Sequence, residues 1–234
     1  MKKLASLCSL LLALSLLSAA DGEFYAANQS VFILPTAYTM PKGSSALTDY
    51  ELLILQYAYA PTDRLHISAG MVFPVVEDAF ETFSLGGKFN YYRGKSMESA
   101  VWGTYTFDSN LFTLGNVLSF GGNKNDESGS IHLAGMLLGN LESDNIQGVL
   151  GTGGIVRFSN LVNGMMELFF APFNVKGDPG GLLNLDGNDY ALLIAGIRFK
   201  GHKVSVDLGG MRPMGDVELD ELLLFPFLKA TILF

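Results

Sequence analysis

Residues 65–73 read LHISAGMVF, with Leu65, Ile67, Ala69, Met71 and Phe73 on one side and His66, Ser68, Gly70 and Val72 on the other. A period of two belongs to a β-strand, whose successive side chains leave on opposite faces. The alternation returns at 82–91, where Phe83, Leu85, Phe89 and Tyr91 interleave with Thr82, Ser84, Lys88 and Asn90. It returns again where Val204, Val206 and Leu208 interleave with Lys203, Ser205 and Asp207. Helical spacing fits none of these segments. Each would form a strand with one apolar face and one polar or small face.

The apolar face needs an apolar medium, and the start of the chain says where that medium is. Lys2 and Lys3 precede a leucine-rich, uncharged stretch that ends in Ser18, Ala19 and Ala20. This is the three-part pattern of a secretory signal peptide, with cleavage expected after Ala20. Cys8, the only cysteine, lies in the removed segment behind Leu7 rather than a small residue, so neither a disulfide nor a lipid anchor is expected. The net charge of −8 becomes −10 once Lys2 and Lys3 leave, which argues against a nucleic-acid partner. Mean hydropathy is +0.30, yet the mature chain has no run approaching the ~18 apolar residues that a spanning helix needs. An apolar exported chain without such a helix can still cross lipid as a closed β-barrel, which satisfies its backbone hydrogen bonds between strands. The expected fold is therefore all-β, a closed antiparallel transmembrane barrel.

Turn signals divide 31–234 into twelve strands, at 31–40, 49–60, 65–75, 80–92, 97–107, 110–120, 130–139, 146–158, 165–173, 189–200, 202–210 and 222–234. Ten remain possible if the glycine-rich stretch 121–129 is not a turn. The organisation expected is a signal peptide at 1–20, a short segment at 21–30 and the barrel at 31–234. Tight connections near 61–64, 92–96, 159–164 and 200–203 alternate with longer or more acidic ones at 40–48, 76–79, 174–188 and 211–221. Short turns face the periplasm in such barrels, which would place both chain ends there. Tyr59, Tyr91, Phe158, Phe199 and Phe234 fall at the periplasmic strand ends, and Phe73, Phe107, Phe173 and Tyr190 at the outer ends, as two aromatic girdles would.

The final segment, LLLFPFLKATILF, sets Leu228, Ala230, Ile232 and Phe234 on one face. It resembles the closing strand of bacterial outer-membrane β-barrel proteins, although Lys229 stands where that signal has a small residue. The resemblance implies outer-membrane lipid, periplasmic chaperones and the barrel-assembly machinery as partners. The stretch LPTAYTMPKG at 34–43, with APTDRLHISAGMVFPV after the next strand, resembles uncharacterised exported barrel proteins of a porin-like kind. That second resemblance implies a fold and no chemistry.

A hydrolase would need a nucleophile, a base and an orienting group in hydrogen-bond reach. Of the three histidines, His66 and His132 fall on the inner face and His202 in a tight turn, none in a recognisable catalytic arrangement. The glycines of 148–154 precede no helix and so make no phosphate cradle. The acidic stretches 178–189 and 216–221 match no complete calcium loop and read as solvated loops. No catalytic residue, cofactor or metal is expected, and the chain reads as a non-enzyme.

Charges on the inner face remain. Reading Lys200-Gly201-His202-Lys203 as a two-residue hairpin sets Arg198 opposite Ser205 and Gly196 opposite Asp207, so that Asp207 lies diagonal to Arg198. Lys229 falls at the height of Asp207, and Lys88 and Glu167 share that face. A basic residue turned to lipid costs up to about 2 to 4 kcal/mol near the midplane and an acidic one less, which directs these groups into the lumen. The expected function is a small porin-like passive channel. The alternative is a non-conducting surface scaffold, adhesin or envelope-assembly barrel, and lipid hydrolysis stands third.

Overall fold

The computed structural model describes residues 26–72, 79–121, 129–142, 145–176, 191–214 and 225–234. Twelve strands follow one another around a closed antiparallel barrel: β1 (Ser45–Tyr50), β2 (Ile54–Thr62), β3 (Leu65–Val72), β4 (Ser84–Arg93), β5 (Met97–Thr106), β6 (Leu111–Gly121), β7 (Gly129–Asn140), β8 (Asn145–Arg157), β9 (Val162–Lys176), β10 (Ala191–Lys200), β11 (Val204–Met214) and β12 (Phe225–Leu233). Each strand pairs with its chain neighbours, and β1 meets β12 over Ala46↔Leu233 to Tyr50↔Lys229 to close the wall. Closure leaves no strand edge unpaired, which is the condition for placing a sheet in lipid.

Alternation sorts the faces as the sequence suggests. Ile67, Leu85, Phe89, Leu114, Leu133, Leu150 and Met166 are exposed on the outside, while His66, Lys88, Ser119, His132 and Glu167 are buried inside. At the end with the tight connections, Tyr59, Tyr91, Tyr92, Phe120, Phe158 and Phe234 are exposed aromatics. Leu228, Ala230 and Ile232 are half-buried and alternate with the buried Phe227, Lys229 and Thr231. Phe73, Tyr190, the side chain of Phe173 and the acidic stretches 178–189 and 216–221 lie outside the described residues, as do residues 1–25 with the expected signal peptide.

The strand count of twelve holds, but two of its members differ. Residues 31–40 are not part of the wall. The span 49–60, expected as one strand, divides into the end of β1 and most of β2 around a turn at Glu51 and Leu52. Both have positive φ, 58° and 60°, and Leu53 N–H closes the turn on Tyr50 C=O at 3.0 Å. Positive φ at both central residues is the mark of a type I′ turn, usually made by Asn-Gly or Asp-Gly, here with Tyr50 and Ile54 paired across it. Neither Glu nor Leu favours that region, where an L-residue is strained by roughly 1–2 kcal/mol. The seam holds it there: Glu51 N–H donates to Leu228 C=O at 2.8 Å, and Leu228 N–H to Glu51 Oε1 at 2.7 Å.

Residues 40–48, expected as an outer loop, also move. Lys42 N–H reaches Asp63 Oδ1 at 2.9 Å, Gly43 N–H reaches Ala60 C=O at 2.8 Å, and Ser45 N–H reaches Phe234 C=O at 3.1 Å. Those partners lie at the end shared by the 63–64 turn and the chain terminus. Gly43, with φ +84°, allows the tight reversal from Pro41 to Ser44 that feeds β1.

A plugged lumen as the candidate functional site

A barrel of eight strands is filled by its own inward side chains, and a wider one leaves space. Here the inner face of twelve strands includes many small residues, Ala46, Thr48, Ala58, Ala100, Ser119, Ala134, Gly151 and Gly153 among them. Residues 28–40 occupy that space. They enter the barrel as a short hairpin, with Ser30 bridged to Pro35, Thr36 N–H on Gln29 C=O at 3.0 Å and Val31 N–H on Leu34 C=O at 2.9 Å. Val31, Phe32, Leu34, Ala37 and Met40 have no exposed surface. The first four pack with Ala100, Val117, Ala134, Met165, Ile194 and Phe227 into an apolar core inside the barrel. Met40 packs separately with Ala46, Ala58 and Ala60, and Leu233 leans on that group.

Burying a Val, Leu, Phe or Met side chain contributes about 1.5 to 3 kcal/mol, so the hairpin has a large apolar anchor. The wall is shaped to receive it. A Cβ on Gly151 would come within 2.6 Å of Leu34, and one on Gly153 within 3.1 Å of Val31. These are glycines of the 148–154 stretch. They sit in strand β8, as expected, and they leave room for the hairpin.

The hairpin backbone cannot join the wall's ladder, so its polar groups need other partners. At the tip, the Glu167 carboxylate accepts three successive N–H groups, from Phe32 at 2.9 Å, Ile33 at 3.0 Å and Leu34 at 3.1 Å. Beside it, Arg198 binds Asp207 through two nitrogens, at 2.6 and 2.7 Å, and donates to Ser30 C=O at 3.0 Å and to Val31 C=O. Lys229 donates to Ser30 Oγ at 2.6 Å and Phe32 C=O at 2.8 Å, with Asp207 at 3.4 Å. Two carboxylates and two cations thus form one buried cluster around the tip.

Farther down, Lys88 Nζ reaches Thr36 C=O at 3.1 Å and Gln29 C=O at 3.3 Å. Asn90 donates to Ala37 C=O at 2.8 Å and to Glu98 at 2.6 Å, and Arg93 bridges Glu98 to Thr39. Ser119 Oγ accepts Ala37 N–H at 2.8 Å and touches His132, which in turn touches Ser130. Met40 N–H ends on His66 Nε2.

Lys88, Glu167, Arg198, Asp207 and Lys229 are therefore all on the inner face, as expected of lumen-lining groups, but Lys88, Glu167, Arg198 and Lys229 bind a protein segment, and Asp207 binds two of those cations. The register between β10 and β11 is also corrected. Arg198 lies directly opposite Asp207, and Lys200 opposite Ser205, because the turn centres on His202 and Lys203, with Gly201 N–H on Val204 C=O at 2.7 Å. The shift is two residues, so both side chains keep their face and become direct neighbours. Asp207 also pairs with Lys229 in register. The sequence reading missed Asn90, Arg93, Glu98, Ser119 and both inner histidines as holders of the hairpin. One signal was available: Pro35 inside 31–40 is a poor strand residue away from an edge.

Beside the hairpin, a cavity of about 190 Å³ separates residues 29–35 from the wall of β1 to β5 and β12. Among the described residues no group of three or more metal-ligating side chains forms.

No protein-family model matches the chain, and no curated protein matches it in sequence. Solved structures match it in fold. The COG4313 outer membrane channel from Pseudomonas putida F1 aligns with a TM-score of 0.52 at 11% identity, over 85% of this chain and 98% of that one. Outer-membrane expressed OmpT of Vibrio cholerae aligns at 0.41, with 11% identity, over 77% of this chain and 64% of that one. LpxR from Salmonella typhimurium aligns at 0.39, with 9% identity, over 82% and 99%. The class is thus a closed twelve-stranded β-barrel of the outer-membrane type. Within it, this chain is one whose lumen is filled by its own N-terminal hairpin.

Proposed function

We propose that the mature chain is a narrow passive channel of the outer membrane for small solutes, closed by residues 28–40, with both chain ends in the periplasm. The observation that carries this reading is the use made of the inner charges. Glu167, Arg198, Lys229 and Lys88 bind hairpin backbone, so removing the hairpin would turn a filled barrel into a polar passage. The fold likeness to an outer-membrane channel supports the same reading. In this reading His66 and His132 serve the hairpin, His66 accepting from Met40 N–H and His132 touching Ser119, which holds Ala37.

The test is conductance of the refolded mature protein in a planar bilayer. Small, intermittent openings are expected. A protein that migrates as a folded, heat-modifiable barrel yet never conducts, even after its hairpin is deleted, would favour the scaffold reading, to which the filled lumen also lends support.

Assembly is proposed to follow the terminal strand. Phe234 is exposed at the wall's end, whereas Leu233 leans on the inner Met40 group. Phe234→Asp is expected to lower the amount of assembled barrel in outer membranes several-fold, and Leu233→Ala to change it little. Equal yields would show that the terminal aromatic is not the recognised feature.

A further inference from the structure

We propose that the cavity beside the hairpin is a binding site for a small organic anion, a carboxylate on a short hydrocarbon body, held by Lys88 and laid against Trp102. Lys88 is 7% exposed, and its hydrogen bonds are two rather long ones to backbone carbonyls. An ammonium has three donors, so one is left for the cavity that this side chain lines. Among the described residues no carboxylate comes within ion-pair distance of it. Glu98 acts on it only from beyond that distance and is engaged by Asn90 and Arg93; a buried cation with no contacting counter-charge is costly, and an anion arriving beside it offsets that cost.

The second cation on the cavity wall, Lys229, is already matched by Asp207, Ser30 and Phe32. Among the described residues no carboxylate side chain lines the cavity, whose walls include the hydroxyl-bearing Thr48, Ser68 and Thr104. Hydroxyl donors and one unspent ammonium favour a single negative group. Trp102 and Tyr50 add flat apolar surface, which a bare inorganic ion would not use. A dry apolar cavity of about 150 Å³ can hold benzene, so about 190 Å³ admits a carboxylate with a few carbons. Ile33, 43% exposed, borders the cavity and leaves it open to solvent on that side.

Trp102 is the only tryptophan of the chain, so its emission reports the site. The experiment uses the refolded mature protein in detergent, titrated with sodium butyrate exchanged for sodium chloride at constant sodium, and separately with butyramide. Butyrate is expected to give a saturable change and butyramide none. Lys88→Met should weaken butyrate about tenfold or more, the worth of one charge-assisted hydrogen bond, whereas Lys88→Arg should largely keep it. An unsaturable or absent response to butyrate, or an equal response to butyramide, would overturn the site. Chloride competing as well as butyrate would overturn its assignment to an organic anion. The comparison of butyrate with butyramide needs no variant and stands even if Lys88→Met does not fold. The measurement requires no conduction, so its outcome is separate from that of the channel reading.

Discussion

Deleting residues 28–40 is expected to raise the conductance of the refolded barrel several-fold over wild type and to replace intermittent openings with a steady open level. The wall itself needs none of those residues. β1 begins at Ser45, pairs with β12 and β2 through its own ladder, and is fed by a turn at 41–44 that stays in place. What disappears is the apolar core inside the lumen and the partners of Glu167, Arg198, Lys229 and Lys88. These groups then meet water, which solvates them, so closure of the barrel survives. Glu167→Gln should act in the same direction and less strongly. It removes the charge that three hairpin N–H groups share, while leaving Val31, Phe32 and Leu34 buried. Folding is checked by heat-modifiable migration and the opening by single-channel recording. A deletion variant that folds and conducts no more than wild type would show that the hairpin does not close the passage.

Asp207→Ala is expected to cost stability out of proportion to the atoms removed. Asp207 receives two hydrogen bonds from Arg198 and lies 3.4 Å from Lys229, with all three side chains almost wholly buried. Breaking a buried ion pair by removing one partner costs about 3 to 5 kcal/mol, because the remaining charge keeps its desolvation penalty without its compensation. Two cations are stranded here, although Glu167 and the hairpin carbonyls still engage the cluster. Asp108→Ala, at an exposed position of the 107–110 turn, provides the control, with an expected change within about 0.5 kcal/mol. Urea unfolding in lipid vesicles measures both. The same variant leaves an excess of positive charge around the hairpin tip, so any residual conductance should shift toward anions. Equal stability of the two variants would mean that the cluster is not the fastening its geometry implies.

Period-two alternation is a local property, and it sufficed for the fold class and for ten of the twelve strands. Ile67 and His66, or Leu228 and Lys229, are sent to opposite faces by one rule of strand geometry, whatever the rest of the chain does. The same rule placed Lys88, Glu167, Arg198, Asp207 and Lys229 inside, and a two-residue error in the β10–β11 register left their faces unchanged. The turn at Glu51 and Leu52 was not legible, because neither residue favours positive φ and the force holding them there comes from β12, about 180 residues away.

The hairpin was not legible for a related reason. Residues 31–40 are apolar enough to pass for a strand, and their place depends on how wide a lumen twelve strands leave and on how little of it the inner glycines, alanines and serines fill. Their fastenings join Phe32 to Glu167 and Ser30 to Arg198 and Lys229, across 135 to 199 positions of sequence. The sequence by itself determined which side chains face inward. Whether they face water or protein was decided only when the wall closed and left a volume that the chain's own N-terminal segment could fill.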